Sequence, residues 1–406
     1  MSDETRSVSA GARDHRGMLL EGTSPALVLP AGLRRVPKGV DELATEHLIL
    51  NMGPQHPSTH GVLHVLVELD GEEVIAAEAS LGYLHRGIEK LAETRKYHQV
   101  ATLLDRADYV SGLHTETAFA LAVEKLAGIE VPRKANWIRS LVMELNRYAS
   151  HMVWLGTFGM DAGAMAPFLY IMRDREMILD ILEAITGGRM MFNYVRPGGV
   201  FADLPAGIDA PIRAWLDVAE TYLAENTALL GGNEIFQARM KGTGVIRRET
   251  ALAFGMTGGC LRGAGVDYDL RRDVPYCAYP ELDFEVPVGW TGDNWDRYVV
   301  RVGEMHQCIR LIRQLIDGMP EGDHTAPMPK VFKPPVGESY GAVESPRGEL
   351  GIHIVSDGTA TPYRMRLRSP AYYNLSVVDE ALAGGLIADA IVTLGSLDIV
   401  LGEIDR

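Results

Sequence analysis

Apolar positions alternate with polar ones near both ends of this chain and recur at helical spacing through most of its middle. His47-Leu48-Ile49-Leu50 and Val62 to Leu69 are strand-like runs. The second ends in the Asp70-Gly71 turn signal, and Val74 to Ala79 returns from it, so residues 45–81 are expected to form a small antiparallel sheet. From Arg86 to about Gly232 the period lengthens. Ala101, Leu104, Ala107, Val110 and Leu113 fall on one stripe, and Leu121 to Ala127 continues it. Gly128 and Pro132 punctuate, and Pro132 suits the start of a helix striped by Ile138, Leu141, Val142, Leu145 and Met152. Gly156 and Gly159 are expected to break that helix, Asp161 to cap the next, and Thr186-Gly187-Gly188 to close it. Further helices are predicted over about 209–230 and from near Asp293 to Asp317. Residues 233–290 read as irregular, with a Gly-rich patch at 255–265 that permits close packing.

Near the C-terminus, Gly351 to Val355 leads into the turn Ser356-Asp357-Gly358. Tyr363, Met365 and Leu367 then alternate with Arg364, Arg366 and Arg368, which predicts a hairpin with one apolar and one arginine face. The fold class expected is α+β, mainly a helical bundle flanked by small antiparallel sheets. Its parts are a flexible tail over 1–44, an N-terminal sheet over 45–82, a helical body over 83–330 and a C-terminal hairpin and tail over 331–406, the last three sharing one core.

Composition narrows the function classes. The 39 basic and 54 acidic residues give a net charge of −15, which argues against nucleic acid and against a broad electrostatic hold on anionic lipid. Cys260, Cys277 and Cys308 include no CxxC pair, which argues against a disulfide scaffold or a self-contained iron–sulfur or zinc site. The N-terminal residues are polar and do not read as a signal peptide. The most membrane-like run, Ala149 to Met172, is interrupted by His151, Asp161, Pro167 and three glycines. A spanning helix needs about 20 predominantly apolar residues, so this run reads as two buried helix segments meeting at a corner. No GxGxxG opens a helix after a strand and no GxxxxGK[ST] occurs, so the chain is expected to bind neither NADH, flavin nor ATP by itself.

The densest candidate chemistry is Asn51 to Leu63, NMGPQHPSTHGVL, which sets His56 and His60 among Pro54, Pro57, Gly53 and Gly61 between two strands. A loop stiffened by proline and carrying titratable groups suits a functional site. A plain surface turn is the simplest reading by periodicity. A half-site for metal at His56-x-x-x-His60 requires a helix, and Gly61 with the following strand leaves room for barely a turn.

That loop, with GYLHRGIEKL at 82–91, resembles the quinone-site loop of the D-subunit family of respiratory NADH:quinone oxidoreductase (complex I). The likeness continues through DRADYVS at 105–111, AVEKLAGIEVP at 122–132, LGTFGMDAGA at 155–164 and TGGRM with YVRPGGV at 186–200. GVDYDLRRDVPY at 265–276, GDNWDRYVVR at 292–301, VESPRGELG at 343–351, SDG with PYR at 356–364 and GSLDIVLGEIDR at 395–406 complete it. About ten pieces in order, from Glu46 to the last residue, identify the chain as a member of that family.

The family resembles the large subunit of nickel–iron hydrogenases, whose metal is held by two CxxC pairs near opposite chain ends. Alignment on Arg106 puts Asp108 and Ser111 at the first pair. Alignment on Asp398 puts Val400 and Glu403 at the second, and Arg406 at a histidine. None supplies a thiolate, so a soft-metal site is not expected, and the chain is expected to bind no metal or cofactor of its own.

The resemblance implies instead a quinone headgroup pocket beside the terminal Fe–S cluster of a neighbouring subunit. Reducing a quinone takes two protons on opposite carbonyls, and the family assigns them to His60 and Tyr109. Asp161 would pair with His60, raising its pKa and orienting its ring. His56, Pro57, Ser58, Thr59 and Gly61 would form the quinone-binding loop, His56 shaping it rather than touching the substrate. Arg86 would lie beside the neighbour's cluster and raise its potential; the plain alternative is a helix-start arginine paired with Glu89.

The implied partners are the cluster-bearing B subunit, the C subunit, the ferredoxin-like I subunit and the membrane-embedded H and A subunits, at the cytoplasmic face of the cell membrane. The implied activity is proton-translocating NADH:quinone oxidoreduction within that complex. A degenerate scaffold subunit and a membrane-bound hydrogenase-like large subunit are the alternatives. The chain departs from many relatives at Met191, where a histidine is common, and at His114 and Thr115, where small and amide residues are common.

Overall fold

The structure is a computed structural model and describes residues 47–55 and 61–406. The segment 1–44 and the loop residues His56, Pro57, Ser58, Thr59 and His60 lie outside the described residues. The chain opens with three antiparallel strands, β1 (His47–Met52), β2 (His64–Asp70) and β3 (Glu73–Ser80), in the order β1-β2-β3. Central β2 is buried on both faces, and its Val65, Val67 and Leu69 pack with helices from the far end of the chain. Val74 N–H donates to Gly385 O and Gly384 N–H to Val74 O, both at 2.8 Å, so β3 is sewn to the C-terminal segment.

Five helices follow: α1 (Ile88–Ala92), α2 (Tyr97–Leu104), α3 (Gly112–Ala127), α4 (Arg133–Asp161) and α5 (Met165–Thr186). The stripe from Ala101 to Leu113 predicted one continuous helix. The structure interrupts it between Leu104 and Gly112, because Asp108 draws the backbone N–H groups of Val110 and Ser111 into a turn.

The predicted break at Gly156 and Gly159 does not occur. Helix α4 runs unbroken through both to Asp161, since a glycine costs an interior turn only about 1 kcal/mol. Both serve close approach: an added Cβ would lie 3.0 Å from Phe168 at Gly156 and 2.9 Å from Leu230 at Gly159. Asp161 is thus the last residue of α4 rather than the cap of α5, whose N-cap is Ala164. The corner expected within Ala149 to Met172 falls at Ala162–Ala164, and no described helix is long and apolar enough to cross a membrane.

After the short pair β4 (Val195–Arg196) and β5 (Gly199–Val200) comes α6 (Asp209–Gly231). The stretch 233–290, expected to be irregular, is a string of short helices: α7 (Glu234–Met240), α8 (Arg248–Ala253), α9 (Gly258–Gly263) and α10 (Leu270–Asp273). Each is too short for a hydrophobic stripe to register. Helix α11 (Asn294–Asp317) is capped by the Asp293 carboxylate, which accepts Asp296 N–H at 2.8 Å.

The predicted hairpin is two strands of a three-stranded sheet, β6 (Gly337–Ser345), β7 (Gly348–Ser356) and β8 (Arg364–Arg368). The sequence reading missed β6, whose inward positions alternate but include Ser339 and Gly341, so they give no apolar period. The chain ends in α12 (Pro370–Leu375), α13 (Val378–Leu382), α14 (Ile387–Ser396) and α15 (Leu401–Asp405). Helix α4, between α5 and α11, is the axis of the largest apolar cluster, while α12–α15 fill the space under the N-terminal sheet.

Candidate functional site

Tyr109 stands on the turn between α2 and α3, half-buried. Asn146 of α4 donates its amide to Val110 O at 3.0 Å and fixes that turn to the bundle. The ring lies on Gly402 of α15: a Cβ there would meet Tyr109 Cδ1 and Cε1 at 3.2 Å and Ala107 O at 2.6 Å. Gly402 is therefore a glycine because the Ala107 carbonyl, with the tyrosine ring beside it, occupies its side-chain space. One residue earlier, Leu401 approaches Gly61, whose Cβ would be 3.1 Å from Leu401 Cδ1. The exit of the His loop, the start of α15 and Tyr109 thus form one continuous seam. Burial pushes the Tyr109 phenol up, with Arg347 opposing and Asp108 adding to it, so the hydroxyl holds its proton across the neutral range.

Behind the tyrosine the two ends of the bundle meet on a buried guanidinium. Arg347, in the tight turn between β6 and β7, donates Nη1 to Asp108 Oδ2 at 2.9 Å and to Ser111 Oγ at 3.3 Å. Its Nη2 reaches Ser150 Oγ at 3.1 Å, and its Nε lies 3.7 Å from Asp398 Oδ1. Asp398 is also 4.0 Å from Arg301 Nε, and the Arg301 guanidinium lies over the Trp154 ring. Glu403 completes the group; it is fully buried, and its Oε1 accepts Ala371 N–H at 3.0 Å. Residues from both candidate hydrogenase-like motifs, Asp108 and Ser111 with Asp398 and Glu403, therefore converge around an arginine. Arg347 was not singled out from sequence. Its only signal was an arginine in a two-residue turn, SPRG, where exposure would be the default.

A second charged cluster lies deeper. Glu144 Oε1 takes Arg147 Nε at 3.1 Å and the Tyr279 hydroxyl at 2.6 Å, with Arg271 Nη1 at 3.4 Å. Asp269 Oδ2 takes Arg271 Nη2 at 2.7 Å, and Arg262 pairs with Glu304 and with Glu344, the latter at 2.8 Å. His151 Nε2 sits 2.9 Å from Glu304. Burial would raise Glu304, yet Arg262 and His151 hold it well below the usual carboxylate range. Burial and Asp269 push Glu344 up to about 7.

The Gly-rich patch makes this arginine cluster compact. A Cβ on Gly258 would lie 2.4 Å from Arg347 O, and one on Gly263 would lie 3.0 Å from Arg297 Cγ. His114 sits buried between the two clusters. Burial, then Arg147 and Arg347, lower its pKa well below the usual value, so its ring is neutral.

The remaining expected residues fall further out. Asp161 is half-buried as the last residue of α4, about 20 Å along the helix axis from Asn146. Arg86 is exposed just before α1 and does not form the plain pair with Glu89. The Glu89 carboxylate instead takes Leu367 N–H at 2.9 Å and lies 3.4 Å from Arg364 and 3.9 Å from Arg406. Met191 is half-buried in the link after α5. Thr115 is turned inward, its hydroxyl donating to Leu104 O at 3.0 Å and Gly112 O at 2.7 Å.

A helical body whose first turn and last helix close on one buried charge cluster, between two small sheets, defines an α+β protein of the hydrogenase large-subunit type. Residues 161–334 and 323–406 match the family described as "Respiratory-chain NADH dehydrogenase, 49 Kd subunit". The chain is 47% identical over 365 residues to the NADH-quinone oxidoreductase D subunit of Clostridium beijerinckii, covering 90% of this chain and 99% of that one. It is 46% identical over 364 residues to D subunit 2 of the same enzyme from Solibacter usitatus, at 90% and 98% coverage. Against the D subunit of Bacillus anthracis it is 45% identical over 364 residues, at 89% and 100%. The chain belongs to the D-subunit family of NADH-quinone oxidoreductase.

Proposed function

We propose that this chain forms much of the quinone-reduction pocket of a proton-translocating NADH:quinone oxidoreductase, beside the terminal Fe–S cluster of a neighbouring subunit. Electrons originating from NADH reach the quinone from that cluster, and this chain supplies the two protons. His60 donates to one carbonyl oxygen and Tyr109 to the other, while Asp161 orients His60 and favours its charged form. The seating of Tyr109 carries this reading: a half-buried phenol, on a turn held by Asn146 and Gly402, at the same seam as the exit of the His loop. A phenol so placed is a weak acid until the quinone oxygen becomes basic on reduction, which ties the proton to the electron. The partners are then the cluster-bearing B subunit, the C and I subunits, and the membrane-embedded H and A subunits, with the chain peripheral at the cytoplasmic face.

Tyr109→Phe in the intact complex tests this. The ring and volume are kept, so packing changes little. Quinone reductase activity is expected to fall about tenfold or more, as for loss of a positioned acid, while NADH still reduces the clusters at the normal rate. His60→Ala should match it and Asp161→Asn should give a partial loss. Full quinone reductase activity of an assembled Tyr109→Phe complex would refute the reading.

A further inference from the structure

Three buried carboxyls, Asp108, Asp398 and Glu403, share the space behind Tyr109 with two buried guanidiniums, Arg347 and Arg301. In a low-dielectric interior such a set tends to neutrality, and one excess carboxyl keeps its proton. Asp108 is the poorest candidate, since its two oxygens take Arg347, the Ser111 hydroxyl and two backbone N–H groups. Asp398 also has an oxygen, Oδ2, with no hydrogen-bond partner among the described residues, but it lies 3.7 Å from Arg347 Nε and 4.0 Å from Arg301 Nε, which favours its charged form. Glu403 has one backbone N–H, that of Ala371, on Oε1, and its buried Oε2 has no hydrogen-bond partner among the described residues. Its neighbour Gly402 lies against the Tyr109 ring, and the Glu403 charge acts on the Tyr109 phenol.

We infer that Glu403 carries a proton in the resting protein and resupplies Tyr109 after that tyrosine has protonated the reduced quinone. This rests on the quinone-pocket reading above. The balance is simple. The quinone gains two electrons, delivered singly from the neighbouring Fe–S cluster, and one proton from His60; the Tyr109 O–H bond breaks as the second quinol O–H forms, leaving a phenolate. The Glu403 O–H bond then breaks, the phenol re-forms and the carboxylate remains. That carboxylate is stabilised by Ala371 N–H and by Arg347 until bulk solvent returns a proton.

The direction of transfer follows from acidity. Burial, then Asp108, pushes Glu403 up to about 8, well above an ordinary glutamate but still below the phenol, which burial pushes above its usual value near 10. Among the described residues, the groups facing Glu403 are Asp108 and Tyr109 from the α2–α3 turn, Arg347 from the β6–β7 turn, Asp398 ahead of α15 and Ala371 of α12. Glu403 touches no substrate in this scheme and acts through Tyr109.

The test uses the intact complex carrying Glu403→Gln, Glu403→Asp or Tyr109→Phe. Glutamine keeps the Ala371 bond and the volume. Wild-type quinone reductase kcat is expected to decline as pH rises through about 8, because the raised carboxyl is protonated below that pH and empty above it. Glu403→Gln should lower kcat about tenfold with an unchanged KM for quinone and abolish that alkaline decline; Glu403→Asp should restore part of both. Infrared difference spectra of the wild type should show a protonated-carboxyl band lost on quinone turnover and absent from Glu403→Gln. If Glu403→Gln keeps wild-type kcat and alkaline decline while Tyr109→Phe is inactive, the inference falls and the pocket stands. If both variants are fully active, both fall. Should Glu403→Gln fail to assemble, an infrared carboxyl region unchanged during wild-type turnover overturns the inference by itself.

Discussion

At the scale of single residues, Arg347 decides more than any side chain of the seam. It is buried on every side and ties a turn of the bundle to the last helices through Asp108 and Asp398. Removing its charge would leave two carboxylates in the interior with Arg301 as their remaining cation nearby. Breaking a buried ion pair from one side costs about 3–5 kcal/mol, so Arg347→Met is expected to lower the amount of assembled complex and its thermal midpoint sharply. Arg347→Lys keeps the charge but not the fork, and should fall between the two. Wild-type thermal stability in Arg347→Met would mean that the acids around it are neutral. Sequence could not reveal this residue, because burial of an arginine depends on acids separated from it by 239 residues, at Asp108, and by about 50, at Asp398.

Among the elements, the junction of α3 with the C-terminal sheet is the most tightly constrained. Strand β6 crosses α3 backbone to backbone: Ser339 Oγ donates to Ala122 O at 2.6 Å, and a Cβ at Gly341 would lie 2.5 Å from Ala122 N. Gly341→Ala must push strand and helix apart and is expected to cost roughly 1–3 kcal/mol, read as a lower thermal midpoint with quinone affinity retained. An unchanged midpoint would show that the sheet gives way freely.

Elements of this kind mark where sequence reading succeeded and where it stopped. Strands β1 and β3 and helices α6 and α11 were legible because each keeps one wet face, and the Asp70-Gly71 turn marked the end of the doubly buried β2. The α2–α3 break was hidden because Val110 and Leu113 keep the helical period through a turn made by the Asp108 side chain. Gly156 and Gly159 misled for the converse reason, being chosen for helix contacts rather than for a bend. As for the site, Tyr109 and Asp161 came from family likeness. The clustered acids behind Tyr109 became visible only once residues near 108 and near 400 were seen together.

For the whole molecule, the exposed arginine ahead of α1 faces outward with its natural acid, Glu89, already engaged by Arg364 and Arg406. A cation left to the exterior in this way suits an electrostatic task at a boundary between subunits. Arg86→Met is expected to leave the complex assembled while lowering the midpoint potential of the adjoining cluster, since the added electron loses a nearby positive charge. Redox titration followed by electron paramagnetic resonance checks it; an unchanged potential together with unchanged turnover would reduce Arg86 to a packing residue.

The meeting of Asp108 with Asp398 and Glu403 also sets a clock. A ribosome adds Asp398 about 290 residues after Asp108, which at roughly 5–20 residues per second is about 15–60 s. Through that interval the nascent bundle holds acids whose arginine and whose closing helix have not yet been made. The space around Asp108 therefore cannot close cotranslationally. It has to wait, hydrated or held by a chaperone, until the final helices arrive to shut it.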